Sequence, residues 1–215
     1  MYIFGLCGRS GSGKSTACGF LKEKGFYCID ADEVCHRIYE TNRACIKELS
    51  DEFGEGIVKD GKIDRSVLRV AVFEKDGGLD ILNSITHKYI IKDILTEAKS
   101  AFKRGVRFVV IDAPVLYESG LDEHCDATIA LVSKDEYLLN RLTKRDALPK
   151  HALKKRLMAQ KSNKDLFCNC SRVIVNNGSL LSLRKKIYMA IMLELMDLGV
   201  IKPAGEVKRY VLKNS

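Results

Sequence analysis

Gly8, Gly13, Lys14 and Ser15 stand at the spacing G-x-x-x-x-G-K-S/T, inside the run Gly8-Arg9-Ser10-Gly11-Ser12-Gly13-Lys14-Ser15-Thr16. The residue types fit one chemistry. Glycines let the backbone turn tightly, so that successive N–H groups point inward at a polyphosphate. A helix opening directly after the loop adds positive partial charge. Lys14 can reach the β- and γ-phosphates of a nucleotide such as ATP, and the Ser15 hydroxyl can ligate Mg²⁺. Gly8, Ser10, Gly11, Ser12, Gly13, Lys14, Ser15 and Thr16 are therefore expected to bind nucleotide. The plain alternative is a Gly/Ser-rich turn without a ligand. The flanks speak against it: Tyr2–Cys7 reads as a buried strand and Thr16–Glu23 as a helix, the setting this motif needs.

Further candidates lie downstream. Asp30-Ala31-Asp32 follows the apolar run Phe26-Tyr27-Cys28-Ile29, at the strand edge where open α/β sheets bind ligands. Asp32 is assigned as the general base that accepts a proton from a substrate hydroxyl. Asp30 is assigned to structure, with a helix cap as the competing reading for either residue. Asp112 ends the apolar strand Arg107–Asp112 as a magnesium-holding acid would, against the reading of a turn former beside Pro114. Arg141 and Arg145 are four apart on a predicted helix and share a face. They suit a pair of guanidiniums closing over a transferring phosphate, or else a solvated basic face. His87, Gln160 and Asn177-Gly178 are ambiguous on local grounds. Cys168-Asn169-Cys170 is one close thiol pair without a second, weak grounds for a metal.

The elements that must position these residues alternate. Strands are expected at Tyr2–Cys7, Phe26–Ile29, Arg107–Asp112, Ala127–Val132 and Arg172–Val175. Helices fill the intervals, among them Lys134–Lys144, a segment past Pro149 to about Ser162, and about Leu180–Leu198. The stretch from about Glu33 to Arg104 reads as helical with a turn-rich break near Gly54-Glu55-Gly56 and Lys59-Asp60-Gly61-Lys62, and with no strand interrupting it. Strand–helix alternation implies an α/β fold with a parallel, doubly wound sheet. The layout is a P-loop NTPase three-layer fold with an inserted helical substrate-binding subdomain and a helical, basic lid.

The chain has 215 residues, 46% of them hydrophobic, enough for a sizeable core. No apolar run reaches membrane-spanning length, and the N-terminus lacks the pattern of a signal peptide, so a cytoplasmic location is expected. The eight cysteines are scattered and read as small apolar residues. The formal net charge of +8 fits an anionic nucleotide as well as nucleic acid. Because the basic residues form no single block, a phosphate-handling surface is favoured.

Taken in order, these residues resemble the dephospho-CoA kinase family from Ile3 to about Ile187. The resemblance is carried by the loop Gly8–Thr16, by Ile29-Asp30-Ala31-Asp32, by Gly61-Lys62-Ile63-Asp64-Arg65 with Leu68 and Phe73, and by His87. Asp112-Ala113-Pro114-Val115-Leu116-Tyr117-Glu118, Arg141 with Arg145-Asp146, Gln160 and Asn176-Asn177-Gly178 complete it. It implies transfer of the γ-phosphate of ATP, with Mg²⁺, to the 3′-hydroxyl of the dephospho-CoA ribose, the last step of coenzyme A synthesis. Asp32 matches the catalytic base, and Arg145 with Arg141 the lid. Asn177 and Gly178 fall on the adenine side of ATP, and Arg65, His87 and Glu118 on the acceptor side. The implied organisation is a kinase domain over 1–200, with a core of 1–32 and 105–200. A CoA-binding helical subdomain spans about 33–104, a lid about 141–165, and a basic tail 201–215. The partner is a small molecule, with no nucleic acid and no membrane, acting as a monomer or weak homo-oligomer.

Four departures stand out: Arg9 where glycine is usual, Cys7 for a common Thr, Lys88 after His87 where Pro is usual, and Cys170-Ser171 for a common Ala-Asp pair. Arg9 is expected to face the ligand and to influence the Michaelis constant for ATP. Competing readings are another small-molecule P-loop kinase, a nucleotide-binding regulator without transferase activity, and, weakest, a nucleic-acid binder.

Overall fold

The apolar runs become strands where burial is two-sided. The computed structural model describes residues 1–146, 148–158, 160 and 162–202. Its chain divides into two compact units: residues 1–7 with 22–126, and residues 8–21 with 127 onward. The tail from 203 and the Cys168 side chain lie outside the described residues.

In the first unit β1 (Tyr2–Cys7), β2 (Tyr27–Asp30) and β5 (Phe108–Asp112) run parallel with β5 in the middle. Val109, Val110 and Ile111 are almost fully buried, as expected of a central strand covered on both faces. The register sets Leu6 opposite Asp112 and Asp30 opposite Asp112, so the two acids share one strand edge. Phe26 stacks on Phe108 with ring centroids 5.1 Å apart and closes the sheet's opposite end.

Parallel strands need long crossovers. Between β2 and β5 these are α2 (Ala31–Thr41), α3 (Arg43–Phe53), α4 (Arg65–Glu74) and the 26-residue α5 (Gly78–Lys103), with α5 packed against the other three. Caps define their starts. Asp30 accepts from the amides of Asp32 and Glu33, Asn42 from Cys45, and Asp64 from Ser66 and Val67.

This stretch does contain strands, contrary to the expectation that its turn-rich break holds none. β3 (Val58–Lys59) and β4 (Lys62–Ile63) form an antiparallel hairpin. Asp60 at φ 52° and Gly61 at φ 74° make its two-residue turn, the geometry that Asp-Gly favours. Two-residue strands are too short to show alternation, so only the turn was visible in the sequence.

In the second unit β6 (Ala127–Val132), buried throughout, pairs in parallel with β7 (Arg172–Val175). Around them stand α1 (Lys14–Lys22), α6 (Asp135–Asp146), α7 (Lys150–Met158), α8 (Asn163–Asn169) and α9 (Leu180–Asp197). Leu138, Leu142, Leu153 and Leu157 join α6 to α7 in a buried cluster. The helix expected to run to Ser162 ends instead at Met158. Ser162 begins the next helix through a capping box with Asp165, the S-x-x-D pattern overriding continued helical propensity. Among the described residues no helix is long and apolar enough to cross a membrane.

Candidate functional site

The phosphate loop leaves β1 and enters α1 at Lys14. Gly8 at φ 147° lies so close to β6 that a Cβ there would meet the Leu131 carbonyl oxygen at 2.3 Å. Gly13 at φ 103° approaches Asn176, whose Nδ2 would sit 2.6 Å from a Cβ. Neither position admits a side chain. Most loop carbonyls are claimed from within the unit. The Gly8 carbonyl accepts from Lys14 Nζ at 3.1 Å, Arg9 from the Ser12 amide at 3.0 Å, Gly11 from Arg141 Nη1 at 3.1 Å, and Ser12 from Asn176 Nδ2 at 2.7 Å. A loop whose carbonyls are drawn into the protein presents its amides on the other side, the arrangement an anion requires.

Arg141 is half-committed to this bracing. Besides Gly11 it donates to the Ser133 hydroxyl at 3.2 Å and the Asn176 carbonyl at 2.8 Å. Arg145, further along α6, is exposed and pairs with Asp146, which also accepts from Arg156 Nη1 at 3.1 Å. One carboxylate thus holds two guanidiniums, leaving a surplus positive charge at the surface. Asn177 Oδ1 accepts from the Lys134 amide at 3.0 Å and ties the exit of β7 to that of β6, with Gly178 next in line. Gln160 reaches Ser10, accepting from its amide and donating to its hydroxyl, each at 3.0 Å.

Arg9 does not face a ligand. Its side chain is 10% exposed and turned into the protein, donating to Asp135 Oδ1 at 2.6 Å and to the Leu157 carbonyl at 2.8 Å. The expectation of a ligand-facing Arg9 is therefore corrected. Burial against α6 and α7 gives its guanidinium partners that the sequence could not show.

In the first unit Asp30 is the cap and Asp32, exposed at the second helical position of α2, is left free of capping duty. Asp112 is buried at the last residue of β5. A carboxylate and, in the other unit, the Ser15 hydroxyl are hard oxygen donors of the kind Mg²⁺ selects. His87 on α5 is half-buried. Burial lowers its pKa, and the nearby Glu118 carboxylate opposes that shift, so two predicted acceptor-side residues are brought within electrostatic reach. Arg65 opens α4 and lines a cleft of about 440 Å³ with Tyr39, Leu68, Val72, Phe73 and Leu82. Phe73 is 79% exposed and Val67 and Val70 also face outward, so α4 buries fewer of its apolar residues than their spacing suggested.

Burial pushes Cys45 and Cys125 each up to about 12, far from a thiolate at neutral pH. Residues missed in the sequence are Ser133, Asp135 and Arg156, none with a local signal. Asn176, quoted there within the resemblance, owes its bracing role to its bonds with Ser12 and Arg141.

The model of the dephospho-CoA kinase family matches residues 2–182. A dephospho-CoA kinase of Fusobacterium nucleatum is 37% identical over 186 residues, which cover 86% of this chain and 94% of the relative. One from Bacillus licheniformis is 35% identical over 179 residues, covering 83% and 89%. Among solved structures, dephospho-CoA kinase from Campylobacter jejuni superposes with a TM-score of 0.67 at 27% identity, covering 93% of this chain and 98% of that one. Shikimate kinase from Acinetobacter baumannii, at 17% identity and a TM-score of 0.50 over 92% and 94%, shares the fold.

Proposed function

The chain belongs to the dephospho-CoA kinase family, and we propose that it transfers the γ-phosphoryl group of ATP to the ribose 3′-hydroxyl of dephospho-CoA, giving coenzyme A and ADP. The observation that carries this reading is the family match across residues 2–182. The chain is a kinase of coenzyme A biosynthesis.

Each role follows from the chemistry of the residue. The amides of Gly11, Gly13, Lys14, Ser15 and Thr16 hold the phosphates, with Gly8, Ser10 and Ser12 shaping the loop and Lys14 neutralising the β- and γ-oxygens. Asn177 and Gly178 border the adenine. Asp32 orients the attacking hydroxyl and takes its proton, a role for which its freedom from capping suits it. Ser15 and Asp112 would hold Mg²⁺, which when bound offsets the charge on the phosphates. Arg145 supplies charge to the transferring group, and Arg141 braces the loop that receives it. Arg65 and His87, on the segment of about 33–104, serve the acceptor together with Glu118 beyond β5. Residues of about 141–165 act as the lid over the nucleotide. The setting is cytoplasmic and the chain a monomer or weak homo-oligomer.

The test is formation of coenzyme A from dephospho-CoA and ATP by the purified protein with Mg²⁺, with the phosphate position read by NMR. A 3′-phosphate product with equimolar ADP is expected. ATP binding without product, or phosphate on another hydroxyl, would sink the assignment.

A further inference from the structure

Arginine in a phosphate loop invites the reading of a ligand contact, yet both of its bonded nitrogens are committed to α6 and α7. Arg9 Nη1 reaches Asp135 in the first turn of α6, and Nη2 reaches the carbonyl of Leu157 in the last turn of α7. Carbonyls in the final turn of a helix lack intrahelical partners and favour a cation. One guanidinium therefore serves three elements: the loop, the start of α6 and the end of α7. The next residue repeats the grip, since Ser10 and Gln160 exchange two hydrogen bonds just past the end of α7. Leu157 itself sits in the leucine cluster that joins α7 to α6. The neighbouring Arg156 reaches Asp146, which also holds Arg145. The loop is thus connected, through backbone and side chains, to the arginines of the lid.

We propose that Arg9 is a positioning residue that latches α7 onto the phosphate loop, so that the lid stays docked in the nucleotide-free protein and Arg145 and Arg156 are held in register before ATP binds. This rests on the lid reading of about 141–165 given above. A glycine at position 9 would leave Asp135 to water and the Leu157 carbonyl with only the Gln160 amide, at 3.3 Å, and free α7 to open. ATP would then bind a population only partly docked, which weakens apparent affinity by the docked fraction and leaves the chemical step intact.

The experiment is hydrogen–deuterium exchange on the nucleotide-free full chain for wild type, Arg9→Gly, Arg9→Lys and Asp135→Asn, with steady-state kinetics on each. In Arg9→Gly the amides of 150–158 are expected to exchange at least about tenfold faster, with those of β6 unchanged. The KM for ATP is expected to rise about three- to tenfold with kcat nearly constant, and saturating ATP to restore protection. Arg9→Lys, which keeps charge but loses the fork, and Asp135→Asn, which loses one arm, should fall between. Unchanged exchange at α7 in a folded Arg9→Gly overturns the proposal, as does a fall in kcat with KM unmoved. Should Arg9→Gly fail to fold, wild-type exchange in both other variants overturns it equally. The exchange readout needs no turnover, so a latch found in a protein that makes no coenzyme A would refute the lid's function and not the latch.

Discussion

At the scale of single residues, the two acids flanking Ala31 divide their labour through backbone geometry. Asp30 spends its carboxylate on the amides of Asp32 and Glu33, while Asp32 keeps its own exposed. Asp32→Asn is therefore expected to lower kcat by about 10²- to 10⁴-fold, the worth of a positioned base, while ATP affinity holds. Asp30→Ala should instead lower stability by about 1 kcal/mol through the lost cap and change kcat far less. Stopped-assay kinetics beside urea melts separate the two; equal kinetic damage from both would refute the division. His87 offers a second check. Its folded-state pKa is depressed by burial, so its neutral form is favoured in the native protein. Stability from this source is present above the unfolded value of about 6.5 and is lost as pH falls toward the folded value. His87→Gln should flatten the decline in urea midpoint between about pH 7 and 5. Glu118→Gln should move the His87 midpoint lower still, since Glu118 raises it; an unmoved imidazole resonance in an NMR titration would show that the two do not face each other.

At the scale of elements, legibility followed the length of the pattern. The five strands declared themselves as apolar runs, and the loop between β1 and α1 was fixed by its glycines. The β3–β4 hairpin was hidden because each strand is two residues long, and the split between α7 and α8 because the capping box at Ser162 falls inside an otherwise helical stretch. The roles of Arg9, Asp135, Arg156 and Asn176 were opaque for a different reason: they depend on partners 35 to 164 residues away or on a second helix, which periodicity cannot report. The junction of β7 and α9 shows another such long-range partner. Glu194 is almost fully buried and bonded at 2.8 Å by Arg172, which also pairs with Asp197. Burial raises the Glu194 pKa, and Arg172 opposes the shift. Arg172→Ala should cost about 2–3 kcal/mol, less than a wholly buried pair because Arg172 is partly exposed. An acid with a raised folded pKa loses stability as pH climbs through that value, so this variant's deficit should shrink on acidification toward pH 4. A deficit in thermal unfolding that is the same at pH 5 and pH 8 would assign the loss to packing instead.

At the scale of the whole molecule, the excess of 36 basic over 28 acidic side chains must be reconciled with a partner. A diffuse positive surface binds any polyanion, and its affinity falls steeply with salt because counterions are displaced. The loop binds differently. Its carbonyls are tied back by Lys14, Arg141 and Asn176, and on the reading proposed above its amides and Lys14 would address a few phosphate oxygens at close range. ATP at about 100 times its Kd should then stabilise the chain by about 2.7 kcal/mol. For a chain of this size that corresponds to a rise in melting midpoint of about 5–10 °C. The rise should survive 0.3 M salt, should vanish in Lys14→Ala, and should not be reproduced by duplex DNA at equal phosphate. Differential scanning fluorimetry across a salt series reads all three. A midpoint that DNA raises as much as ATP, and that salt abolishes for both, would mean the net charge answers to a broad anionic surface, and that the loop contributes no site of its own.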